Sequence, residues 1–82
     1  MTEYYLITRD LLEPDYMSWQ VKEGCVVKDV GSNVFVSTTL LGAIEGRFQQ
    51  MWEFEASLVK LYAEYNVPGV KKLNQKETAK NE

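Results

Sequence analysis

The chain has 82 residues, 45% of them hydrophobic and 26% charged, with no histidine, one cysteine and a formal net charge of −3. A length below about 100 residues fits one domain around one core. The lack of histidine excludes imidazole-based triads and zinc–histidine sites, and the lone Cys25 can neither close a disulfide within the chain nor build a cysteine metal site.

Tyr4-Tyr5-Leu6-Ile7-Thr8 is rich in aromatic and β-branched residues and predicts a first strand. Asp10 to Asp15, around Pro14, reads as a connection. Met17-Ser18-Trp19-Gln20-Val21-Lys22 alternates apolar and polar residues, which predicts a second strand with one buried face. Glu23-Gly24 is a turn and Cys25 to Val30 a third strand. Val30-Gly31-Ser32-Asn33 places glycine first in a two-residue loop, as a type II′ hairpin requires. That register sets Val27 against Val36 and Asp29 against Val34. Cys25, Val27, Val34 and Val36 then share the core face.

From an N-cap at Thr38 or Thr39 the apolar period becomes helical and runs to Tyr65. Leu41, Phe48, Trp52 and Val59 are expected against the sheet, with Phe54, Leu58, Leu61 and Tyr65 turned away from it. Gly46 is the weak point, where the helix bends or before which it fails to start. Left unbroken, a helix from Leu40 to Tyr65 would be about 39 Å long. A domain of this size is only about 30 Å across. The overhang, and an apolar arc wider than one sheet needs, predict a second partner for the helix.

Asn66-Val67-Pro68-Gly69 ends the helix, since asparagine tolerates the left-handed conformation and Pro-Gly favours a turn. Residues 71–82 then read as a disordered lysine-containing tail beyond a single domain of residues 1–70. The body carries ten acids against five bases, a net of −5, while Lys71, Lys72, Lys76 and Lys80 against Glu77 and Glu82 make the tail basic. The fold expected is α+β: a three- or four-stranded antiparallel meander followed by one long C-terminal helix packed on one face.

Chemistry-bearing constellations are scarce. Cys25, on an apolar strand face without a histidine, reads as a buried small hydrophobe. Glu53 and Glu55 would point about 200° apart on a helix, which rules the pair out as a metal or acid/base site. Gly42-Ala43-Ile44-Glu45-Gly46 has the spacing of a close helix-packing motif, but with both glycines on the polar arc. No catalytic residue, cofactor or metal is therefore expected. Glu55 lies inside the apolar arc, where an unpaired carboxylate is costly to bury. An antiparallel partner helix would bring Arg47 of one chain beside Glu55 of the other.

These features predict a small non-catalytic protein-binding module, a regulator or inhibitor of another macromolecule. Phage-encoded inhibitors of host or defence proteins share this size and acidity. A homodimer through the helix is expected, with Phe54, Glu55, Leu58, Leu61, Tyr65 and Arg47 at the interface. One alternative is a DNA mimic, in which Asp10, Glu13, Asp15, Glu45, Glu53 and Glu64 would occupy a basic groove; another is an adaptor or structural subunit of a larger assembly. The acidic body argues against direct nucleic-acid binding. No apolar run approaches the roughly 20 residues that span a bilayer, and Met1-Thr2-Glu3-Tyr4 lacks a signal peptide's basic start, so a cytoplasmic, membrane-free location is expected.

Overall fold

A computed structural model describes residues 1–73. In chain order the elements are β1 (Glu3–Ile7), β2 (Val26–Asp29), β3 (Val34–Ser37), α1 (Leu40–Ile44), β4 (Gln49–Gln50), α2 (Glu53–Glu64) and β5 (Val70–Leu73). The five strands form one sheet in the order β4-β3-β2-β1-β5, each pair antiparallel.

The hairpin follows the residues that predict it. Val27 pairs with Val36 and Asp29 with Val34. Gly31 takes the positive φ of +93° that the first loop position demands, and the Val30 N–H donates to the Asn33 carbonyl at 3.0 Å.

The expected meander with one long C-terminal helix is not what forms. The sheet has five strands, the helical segment is divided, and α2 is only 12 residues long. Gly46 divides it. At φ +80° it closes α1, the Gly46 N–H bonding back to the Ala43 carbonyl at 3.0 Å and the Arg47 N–H to the Gly42 carbonyl at 2.8 Å. That bond pair is a Schellman motif, which satisfies the carbonyls a helix end leaves open. The chain leaves it extended, and Gln49–Gln50 joins the edge of β3 before α2 begins. Thr39 caps α1 as expected, its hydroxyl accepting from the Gly42 N–H at 2.9 Å. Gly42 itself is a close-approach site, because a Cβ there would lie 2.6 Å from Ser37 Oγ.

The strand expected over Met17–Lys22 is also absent, since residues 8–25 form an irregular loop. Burial there follows the hydrophobic pattern only in part: Val21 is buried and Lys22 exposed, but Met17 is 90% exposed while Ser18 and Gln20 are buried. Both polar side chains are spent on backbone. Ser18 Oγ accepts from the Gln20 N–H at 3.2 Å, and Gln20 Oε1 accepts from the Trp52 N–H at 2.8 Å. Alternation in this segment records which side chains serve the main chain, not a pleat.

The chain beyond residue 70 also differs from expectation. Lys71, Lys72 and Leu73 belong to β5, which pairs with β1 through Ile7 with Val70 and Tyr4 with Leu73. Leu73 is buried, so the domain continues past residue 70. The rest of the expected tail, residues 74–82, lies outside the described residues.

Both sheet faces are covered. One carries Ile7, Cys25, Val27, Val34 and Val36, closed by Met51, Ala56 and Val59 around and within α2 and by Val21 from the loop. On the other, Val26, Ala43 and Leu73 pack with Tyr4, Leu6 and Phe48. No helix among the described residues is long and apolar enough to cross a membrane.

A candidate interaction surface on the second helix

α2 starts without a side-chain cap of its own, because its N-cap residue is Trp52. Gln20 supplies the anchor from the long loop, and the Trp19 and Trp52 rings meet edge-on with centroids 6.4 Å apart at 67°. Glu53 and Glu55 stand in the first turn, where negative charge complements the helix dipole. At the far end Asn66, at φ 55°, closes a second Schellman motif: its N–H bonds to the Ala63 carbonyl at 3.4 Å and the Val67 N–H to the Tyr62 carbonyl at 3.0 Å. Both ends of α2 are thus held by tertiary or turn contacts.

The helix face toward the sheet is narrow. Glu55, Ala56 and Val59 are its buried residues. Nearly opposite them, Phe54 is 60%, Leu61 51% and Tyr65 67% exposed, with Leu58 half-buried beside them. These four residues, marked from the sequence as outward-facing, form one stripe at spacings of four, three and four residues. Val59 is in the core as expected. Leu41 and Trp52, expected against the sheet, are exposed instead, and Phe48 reaches the opposite sheet face, where Lys28 Nζ sits 5.3 Å from its ring centroid.

Glu55 and Arg47 do not behave as an interhelical pair requires. Glu55 is only 7% exposed and belongs to the face turned inward. Arg47 stands on the link after α1, where its guanidinium pairs with Glu45. Because the helix is divided at Gly46, the two residues do not share a helical surface, and the expected Arg47–Glu55 contact between chains loses its basis.

Acidic groups proposed for a DNA mimic are partly engaged within the chain. Asp10 accepts from the Glu23 N–H at 2.8 Å and lies 3.7 Å from Lys22 Nζ, and Glu45 holds Arg47. Tyr16, in the Pro14 loop, is exposed.

Elsewhere the surface offers open, polar depressions. One, about 460 Å³, runs between the β2–β3 hairpin and α2, with Asn33, Gln50, Glu53, Ser57 and Lys60 on its walls. Its side chains serve one another and the fold: Gln50 Nε2 donates to Asn33 Oδ1 at 3.1 Å, and Lys60 Nζ reaches Asp29 at 3.9 Å. Cys25 is buried, its thiol donating to the Trp19 carbonyl at 3.2 Å, and burial pushes its pKa up, away from the reactive thiolate. Among the described residues no three His, Cys, Asp or Glu side chains come together as metal ligands do.

The sequence signal for the stripe was the apolar surplus itself. What it could not supply was Gln20, a loop residue with no helical neighbour in the chain, as the anchor of the helix that carries it. No known protein family, curated protein or solved structure matches the chain.

Proposed function

We propose that the chain is a small non-catalytic protein-binding module of the cytoplasm that regulates or inhibits another macromolecule by docking the outer face of α2 on it. One observation carries this reading: Phe54, Leu61 and Tyr65 are exposed on the helix surface opposite the one that closes the core. Large apolar side chains aligned at these spacings match the anchors by which an amphipathic helix seats in a hydrophobic groove. Aromatic residues dominate such contacts because one ring removes much apolar area from water at little entropic cost. Acidic Glu53 and Glu64 at the margins would favour a partner whose groove has a basic rim.

The test is quantitative capture from cells of the native source by the full immobilised chain, compared with Phe54→Glu and Leu61→Glu chains. The reading expects proteins retained by the wild type and lost from both variants. Capture that survives both substitutions but collapses with added salt would overturn it in favour of the acidic DNA mimic.

A further inference from the structure

We infer that the stripe on α2 also seats a second copy of this chain, with the two α2 helices antiparallel about a twofold axis between Leu58 and Leu61. The inference rests on the proposed role of the α2 face and names one occupant of it. Three observations on the helix carry it.

The first is the order of the stripe. Phe54, Leu58, Leu61 and Tyr65 lie within about 60° of arc on an ideal helix. They read aromatic, leucine, leucine, aromatic at spacings of four, three and four, the same in both directions. Turned end for end, the helix presents the same surface, so Phe54 falls against the partner's Tyr65 and Leu58 against the partner's Leu61. A twofold contact needs this self-complementarity.

The second is area. Large side chains offer roughly 150–250 Å² each when fully exposed, and the exposed fractions of these four leave about 400 Å² per chain. Two chains, with their rims, bury about 1,000 Å², the lower bound for a specific interface. A weak dimer is therefore expected, dissociating at micromolar concentration.

The third is charge. On the stripe's flank Ser57 and Glu64 lie seven residues apart. End-for-end pairing keeps the two Glu64 carboxylates apart, Glu64 falling two residues off level with both the partner's Ser57 and the partner's Glu53. It also places the positive N-terminal end of one α2 beside the negative C-terminal end of the other.

Sedimentation equilibrium on the full chain, from micromolar concentration to about 100 μM, tests the pairing with Phe54→Glu, Tyr65→Arg and the double variant. Both positions are exposed, and each new charge suits its end of the helix dipole, so the folded chain is preserved; circular dichroism melts verify this. The wild type is expected to approach twice its monomer mass at the high end of the range, and each single variant to lose at least tenfold in association constant. The double variant should recover association, because each introduced carboxylate meets an introduced guanidinium across the twofold. A monomeric wild type overturns the inference, as does a double variant weaker than either single one, the result a parallel pairing gives. A monomer whose Phe54→Glu variant still loses captured partners leaves the binding role of α2 standing without the second copy.

Discussion

The backbone N–H of Trp52 donates to Oε1 of Gln20 at 2.8 Å, across 32 residues of chain. Gln20 is fully buried, and its Nε2 has no partner among the described residues, so its amide serves the fold as an acceptor at the mouth of α2. Trp52 brings no side-chain cap of its own, which makes this bond the substitute for the serine or aspartate that usually opens a helix. Gln20→Ala should lower stability by about 1–3 kcal/mol in urea unfolding, through an unsatisfied donor and the space left behind. Loss of less than about 0.5 kcal/mol would show that α2 starts without it.

The two left-handed helix ends can be compared within one molecule. Gly46 ends α1 at φ +80° and Asn66 ends α2 at φ 55°. Gly46→Ala should cost about 1–2 kcal/mol, because a Cβ is disfavoured in that conformation even though nothing crowds the site. Gly46→Asn should cost less than half as much, since asparagine already occupies the equivalent position in α2. Equal losses in thermal unfolding for both variants would remove backbone conformation as the cause.

These two ends also explain what was legible in the sequence. Asn66 followed by Val67-Pro68-Gly69 is a strong stop, and the helix ends there. Gly46 lies inside an unbroken apolar period, and Leu40, Leu41 and Phe48 keep that period going although they serve α1 and the far sheet face. Periodicity reports which residues are apolar, and two short elements in succession can imitate one long one. The hairpin was legible down to its register because its glycine and its alternating valines agree. Met17 to Lys22 was not: Ser18 turns back on the Gln20 N–H in a local turn, and Gln20 is held by a hydrogen bond from Trp52 that only the fold supplies. Of the site, the outward set Phe54, Leu58, Leu61 and Tyr65 was readable from the wheel alone, while the inward turn of Glu55 and the departure of Arg47 depended on where the helix starts.

Leu73 closes the β5 edge of the sheet and is buried with Val26 and Ala43. Leu73→Ala should destabilise the chain by about 2–4 kcal/mol in denaturant titration. Truncation after Val70 should lower the thermal midpoint by at least as much, since it also removes the Lys72–Glu3 ion pair, 2.8 Å long, and the backbone pairing of Lys71 to Leu73 with β1. An unchanged midpoint would mean that β5 adds nothing to the fold.

Alkaline pH should weaken the fold. Burial raises the pKa of Cys25 above its ordinary 9.0 and that of Tyr5 above 10.0, Glu3 and Asp29 adding to the latter, and the Glu3 hydrogen bond raises Lys72 above 10.5. Each group binds its proton more tightly folded than unfolded. Their contributions are complete below the unfolded values and are lost as pH rises through the folded ones. The thermal midpoint should therefore hold to about pH 8.5 and fall above about pH 9, with Cys25→Ala delaying the onset toward pH 10. A midpoint that rises between pH 9 and 10 would contradict the assigned directions.

The central claim is that Phe54, Leu61 and Tyr65 are surplus to folding and free to meet a partner. Unfolding free energy of the triple variant Phe54→Ser, Leu61→Ser, Tyr65→Ser, measured by urea titration at submicromolar concentration where the chain is monomeric, tests it directly. Exposed positions predict a change within about 1 kcal/mol of the wild type. A loss of about 3 kcal/mol or more, the scale of a truncated core residue, would place these side chains in the core and remove the surface on which the functional reading stands.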